Sequence, residues 1–206
     1  AGKRPVGNVR HWPCGTQKGE NLIEGHDIKE YSIQSLRNQI AVVLQDVFLF
    51  SDTIANNIRL YNPNLNDSEM DYAASLIGAD RFIKRLPGNY EYQVQERGAT
   101  LSTGQRQMIS FIRAMTRDPR ILILDEATSS VDQETEEMIQ EAIEKMLKGR
   151  TSFVIAHRLK TIQSADLILV MDKGKVVEKG THEELIAKEG LYKKLIKLHF
   201  TELVLG

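Results

Sequence analysis

The apolar positions of this chain fall in short runs, and the spacing between them changes along the sequence. Leu22-Ile23 and Ile40 to Leu44 bracket a polar segment, and the second run reads as a buried strand. From Asp46 to Pro119 the period becomes helical. Asp67 is placed to cap a helix over 68–77 and Asp80 one over 81–86, before Pro87-Gly88 breaks the run. A stronger helix starts at Ser102, where Ser102 and Gln105 have capping-box spacing. Met108, Ile109, Ile112 and Met115 are its apolar residues, and Pro119 supplies the stop. Ile121 to Leu124 is a four-residue aliphatic run ending in Asp125-Glu126, the pattern of a central parallel strand covered on both faces.

Residues 133–147 put Met138, Ile139, Ala142, Ile143 and Met146 on one stripe with glutamates elsewhere, which predicts an amphipathic helix. Thr151 to Ala156 is a further strand. Leu167 to Met171 and Lys175 to Glu178 flank Asp172-Lys173-Gly174, a hairpin signal, and Thr181 with Glu184 caps the helix that follows. Strand and helix in alternation predict an α/β sheet with parallel crossovers, with the helical stretch after Asp46 as an inserted lobe.

Composition narrows this picture by exclusion. With 206 residues and 41% hydrophobic content the chain is long enough to bury a sizeable core. Its 27 Lys and Arg balance 28 Asp and Glu, so net charge supplies no global footprint for nucleic acid or an anionic membrane. The longest aliphatic stretches, Ile40 to Leu44 and Leu167 to Met171, fall far short of the ~20 residues of a membrane helix. Cys14 is the sole cysteine, which excludes an internal disulfide and a cysteine-cluster metal site. Ala-Gly-Lys-Arg at the start has no apolar region of a secretory signal and no initiator Met.

Candidate chemistry gathers in two places. Asp125 and Glu126 stand at the C-terminal end of a strand, where open α/β sheets bind ligands. One carboxylate there can hold Mg²⁺, directly or through water, while its neighbour orients and deprotonates an attacking water for phosphoryl transfer. Leu101-Ser102-Thr103-Gly104-Gln105-Arg106-Gln107 puts a hydroxyl, a glycine and backbone N–H groups at a helix N-terminus, a place suited to phosphate.

Taken as strings, Leu101 to Gln107 and, some twenty residues later, Ile121-Leu122-Ile123-Leu124-Asp125-Glu126-Ala127-Thr128-Ser129-Ser130-Val131-Asp132 resemble the signature motif and Walker B of an ABC-type ATPase. Other motifs agree in order. Gln45 resembles the Q-loop glutamine, Ser129 to Asp132 the D-loop, and His157 in Ile-Ala-His-Arg the switch histidine. Gln95-Glu96-Arg97-Gly98 resembles the X-loop of ABC exporters, Asp46 to Ile54 their segment after the Q-loop, and Gly180 to Leu185 their tail. The resemblance covers roughly residues 18 to 200. Thr103 stands where glycine is commoner in the signature, while Ser102 and Gly104 are retained.

The N-terminus departs from the pattern. A P-loop ends in G-K-[ST], and Gly2-Lys3 stands 22 residues before Gly25-His26-Asp27, the separation the family shows. Arg4 and Pro5 follow where a magnesium-binding hydroxyl belongs. The expectation is a P-loop NTPase (RecA-like) core with an inserted ABC α-helical subdomain, the N-terminal β-subdomain and most of the P-loop being absent. Residues 1–45 would hold the remnant of Walker A and the strands to the Q-loop, 46–120 the helical subdomain, and 121–206 the Walker B, D-loop, H-loop and C-terminal core.

The resemblance implies the nucleotide-binding domain of an exporter at the cytoplasmic face of a membrane, with ATP and Mg²⁺ as ligands. Gln45 and Asp125 would serve Mg²⁺, Glu126 would be the general base, and His157 would hold the γ-phosphate and water. Gly2 and Lys3 would meet the phosphates. Ser102, Thr103, Gly104 and Gln105, with Asp132, would close over nucleotide held by a second such domain in a head-to-tail dimer. The remaining partner would be a transmembrane domain of the same parent chain, and no nucleic acid is implied. Two alternatives are a non-hydrolysing interaction module, suggested by Arg4, and a soluble ABC ATPase of repair or translation.

Overall fold

A computed structural model describes residues 19–60, 62, 64–125, 133–156 and 158–200, and the chain divides after Val154 into two compact units. In the first unit β1 (Leu22–Ile23) and β2 (His26–Asp27) form a small antiparallel hairpin. Its turn residues, Glu24 and Gly25, both take positive φ. Helix α1 (Ile33–Gln39) is capped by Ser32, whose hydroxyl accepts the Ser35 N–H at 3.1 Å, and it runs directly into β3 (Ile40–Val43).

Strand β3 lies parallel to β6 (Ile121–Asp125), in register from Ile40 opposite Ile121 to Val43 opposite Leu124. β7 (Thr151–Ile155) flanks β6 on the other side, so β6 is central as its aliphatic run predicts. Burial, however, alternates along it. Leu122 and Leu124 are buried while Ile121 and Ile123 are only partly so, which corrects the expectation of two covered faces. The buried face joins a core supplied by α5 (Thr103–Met115) and α6 (Gln133–Leu147). Met108, Ile109, Ile112 and Met115 come from the first helix, and Ile139, Ala142, Ile143 and Met146 from the second.

Between β3 and α5 lies the helical lobe. β4 (Asp52–Thr53) pairs antiparallel with β5 (Gln93–Val94), and three helices intervene: α2 (Ile54–Arg59), α3 (Asp67–Leu76) and α4 (Asp80–Ile83). Two helix starts differ from the sequence expectation. The cap of α3 is Asn66, because Glu69 stands three residues beyond Asn66 and completes a reciprocal capping box. Asp67 becomes the first helical residue, where its charge suits the positive helix end. Asp80 likewise begins α4 instead of capping it. Its carboxylate accepts a 2.8 Å hydrogen bond from Lys84, which holds its pKa below the usual carboxylate range. The helix stops at Ile83, short of Leu86, because Arg85 and Leu86 bond three residues back and tighten the last turn.

The second unit carries α7 (Leu159–Gln163), a hairpin of β8 (Ile168–Asp172) and β9 (Lys175–Gly180), then α8 (His182–Ala187) and α9 (Leu191–Phe200). Lys173 and Gly174 both take positive φ, which is what a two-residue type I′ connection requires. Thr181 and Glu184 make the expected capping box on α8. The N-terminus of α9 is capped by a residue distant in sequence. Glu178 of β9 accepts the N–H groups of Leu191 at 2.6 Å and Tyr192 at 3.0 Å. Gly190 is needed beside it, since a Cβ there would lie 2.1 Å from Glu178 Oε1. Val170, Leu185 and Tyr192 form this unit's small core. Among the described residues no helix is long and apolar enough to cross a membrane.

Candidate functional site

Because β3 and β6 run parallel and in register, their C-terminal ends open at one edge of the sheet. Asp125 is the last residue of β6, and Gln45 follows β3 by two residues and is exposed. The sequence alone places each after a strand. Strand pairing is what brings them to the same edge.

The signature stretch opens α5. Ser102 Oγ accepts the Gln105 N–H at 3.2 Å, and Gln105 Oε1 accepts the Ser102 N–H at 3.0 Å. Both side chains are thus engaged in the cap. The first-turn N–H groups of Thr103 and Gly104 have no partner within the helix, and they lie at its positive end. Ser102 and Thr103 are exposed, but Gly104 is buried against α6. A Cβ at 104 would lie 2.0 Å from Thr135 Cγ2 and 3.3 Å from Ile139 Cδ1. Close helix packing alone therefore demands glycine here.

Arg106 secures the stretch from below. Its guanidinium donates to the carbonyl of Leu101 at 2.8 Å, to that of Gly98 at 3.4 Å and to Thr103 Oγ1 at 3.0 Å. The Gln95 to Gly98 segment, a short 3₁₀ turn over Glu96–Gly98, is thereby tied to the signature helix. A small cavity of about 150 Å³ is lined by Gln45, Asp46, Val47, Thr103, Arg106 and Gln107. Gln45 and the signature stretch so border one space. Gln107 is buried there, and its Oε1 has no hydrogen-bond partner.

A larger hollow of about 680 Å³ lies where the segment after Gln45 meets Glu96. Phe48, Phe50, Asp52, Asn56 and Leu60 line it. The two phenylalanine rings stand edge to face, centroids 4.9 Å apart, and both are exposed. Asn56 Nδ2 donates to the Asp52 carboxylate at 2.7 Å, which with the Thr53 N–H holds that carboxyl below its ordinary pKa. Sequence reasoning missed this hollow, although two phenylalanines three and five residues after Gln45 were a usable signal.

Gly2, Lys3, Glu126, Asp132 and His157 lie outside the described residues. Among the described residues no three His, Cys, Asp or Glu side chains converge as a metal-binding set. Gln45 and Asp125 offer two oxygen donors at one sheet edge. That donor set is compatible with Mg²⁺, a hard cation that prefers oxygen ligands.

A mixed α/β unit with a parallel sheet and an inserted helical lobe between β3 and β6 is consistent with the P-loop NTPase fold. A family model described as "ABC transporter" matches residues 9–129. The chain belongs to the ABC transporter family. It is 49% identical over 201 residues to an uncharacterized ABC transporter ATP-binding protein, YknV, of Bacillus subtilis, covering 98% of this chain and 33% of that protein. It is 48% identical to a probable multidrug resistance ABC transporter ATP-binding/permease protein, YheH, of the same organism, over 96% of this chain and 29% of the relative. A solved structure of a bacterial Atm1-family ABC exporter with ATP bound matches with a TM-score of 0.76 and 40% identity. That match covers 87% of this chain and 31% of the other. The chain thus spans about a third of the length of the curated relatives it matches. The descriptions of YheH and of the solved exporter do not support the soluble repair or translation alternative.

Proposed function

We propose that this chain is the ATP-hydrolysing domain of an exporter, powering passage of a substrate across a membrane from the cytoplasmic face. The observation that carries the reading is that the parallel pairing of β3 and β6 brings Gln45 and Asp125 to the same end of the sheet, with Gln45 also bordering a cavity that Thr103 of the signature helix lines. ATP is the substrate of the reaction. Glu126, next in sequence to Asp125, takes the proton of the attacking water, and His157 holds that water and the γ-phosphate in line. Lys3 and Gly2 meet the phosphates. Gln45 and Asp125 would hold Mg²⁺, whose charge would there offset the charge that develops on the phosphates.

In the same reading, Ser102, Thr103, Gly104, Gln105 and Asp132 act across a head-to-tail dimer, closing over nucleotide bound by a second copy or a homologous domain. The free N–H groups at the start of α5 suit that role, since a helix N-terminus favours phosphate. The second partner is a membrane domain. The hollow flanked by exposed Phe48 and Phe50 supports this, because an apolar surface beside the Q-loop fits a protein element of a chain whose relatives fuse ATP-binding and permease regions.

The test is the ATPase activity of the full-length parent protein with and without Glu126→Gln. A fall of about 10²-fold or more with ATP binding retained supports the general-base role. Hydrolysis insensitive to the substitution overturns it and favours the non-hydrolysing alternative.

A further inference from the structure

Arg106 and Arg113 stand seven residues, about two turns, apart on α5, so they project from nearly one face of the helix. Each reaches off the helix to hold a loop. Arg106 grips Gly98 and Leu101, as described above. Arg113 reaches 56 residues back in sequence: its Nε donates to the Asn57 carbonyl at 2.6 Å and its Nη2 to Asn57 Oδ1 at 2.9 Å. Its Nη1 donates to the Phe48 carbonyl at 2.9 Å.

Asn57 passes this hold onward. It is 1% exposed, and its amide donates to the carbonyls of Phe50 and Thr53, each at 3.0 Å. Its Oδ1 also accepts the Phe50 N–H at 2.9 Å. The backbone on both sides of the buried Leu49 is therefore hydrogen-bonded to a pair anchored on α5, and that backbone presents Phe48 and Phe50 to the large hollow. Glu96, which also lines the hollow, belongs to the segment Arg106 grips. Both lining segments are thus hydrogen-bonded to the helix that Ser102 caps.

We propose that Arg113, acting through Asn57, is a positioning residue that makes the shape of the Phe48/Phe50 hollow follow the signature helix. Nucleotide engagement at the N-terminus of α5 is then felt at the docking surface beside the helix. A helix of 13 residues is about 20 Å long and moves as a rigid bar. A planar guanidinium can hold Phe48 and Asn57 at once, whereas a lysine ammonium presents a point charge on a flexible stem and cannot reproduce the fork. The proposal rests on the exporter reading, and its experiment separates the two.

The experiment uses the full-length transporter carrying Glu126→Gln, reconstituted in phosphatidylcholine vesicles, with spin labels on the cytoplasmic ends of two membrane helices. Pulsed electron resonance reads the label distance with and without Mg²⁺-ATP. Arg113→Lys is expected to keep ATP affinity within about twofold while the ATP-induced change in distance population falls at least fivefold. Asn57→Ala should reproduce that loss, and the double variant should be no worse than either single one, because both act through one network. Arg150→Lys is the control for mere support of the fold, since Arg150 makes comparable bonds to Pro119, Met146 and Asp118. It should lower the melting temperature without altering the response. A normal response in Arg113→Lys overturns the proposal, and so does a loss matched by an equal loss in Arg150→Lys. No ATP-dependent change in the Glu126→Gln parent itself overturns the exporter reading and this inference with it.

Discussion

Gly104 and Thr135 meet with no room between them: a Cβ added at 104 would fall 2.0 Å from the Thr135 methyl carbon, well inside van der Waals contact. The signature helix and α6 can approach this closely only because position 104 has no side chain. A residue that the ABC resemblance assigns to phosphate binding is thus also a packing requirement of the fold. Gly104→Ala is expected to destabilise the chain by about 1–3 kcal/mol through overpacking. Thr135→Ser removes the obstructing methyl, so the double variant should recover most of that loss in denaturant titration. Failure to recover would mean that Ile139, 3.3 Å from the same point, carries the clash instead.

The capping boxes at Asn66 and Ser102 allow structural and ligand roles to be separated. Both side chains accept the N–H of the residue three positions on, at 2.9 Å and 3.2 Å. Alanine at either position is expected to cost about 1 kcal/mol of stability. Only Ser102→Ala should additionally reduce ATP hydrolysis by the parent protein. Equal effects of the two substitutions on hydrolysis would argue that Ser102 serves the helix alone.

At the rim of the large hollow, the Asn56 amide and the Thr53 N–H stabilise the ionised form of Asp52. A carboxyl whose folded pKa is depressed contributes stability above its unfolded pKa, and loses it as pH falls through the folded value. Asn56→Ala should therefore move the Asp52 titration upward, toward the ordinary carboxylate range, as read by carboxyl-carbon NMR. An unchanged titration would leave the Thr53 N–H as the sole cause.

In the β8–β9 hairpin, Lys173 takes a φ of 47° ahead of Gly174 at 79°. Lysine bears a steric penalty in that left-handed region, which asparagine tolerates better. Lys173→Asn should raise stability by about 0.5 kcal/mol in thermal or denaturant unfolding. A loss would show that the lysine side chain makes a compensating contact.

Much of the local architecture was legible in the sequence because its determinants lie within a few residues of one another. The Ser102–Gln105 and Thr181–Glu184 caps, the Lys173-Gly174 turn and the apolar stripe of α6 all depend on spacings of one to four. Where two neighbouring residues can both cap, spacing to a partner decides: Asn66 outcompetes Asp67 because only Asn66 has a glutamate three residues on. The same locality made the motif strings readable, so family membership followed from order and spacing before any strand was paired.

Long-range pairing decided the rest. Whether Asp125 and Gln45 share a sheet edge depends on β3 lying beside β6, some eighty residues apart. That Gly104 must be glycine for packing depends on α6, and that Arg113 bonds to Asn57 and Phe48 depends on reaches across 56 and 65 residues. Such contacts leave no periodic trace, because one arginine looks like any other solvated charge until the chain has closed its loops. The sequence by itself determined which chemical groups the protein carries and in what order. Only the tertiary structure decided which of them stand close enough to act together, since hydrogen bonds and packing act over a few ångströms regardless of sequence separation.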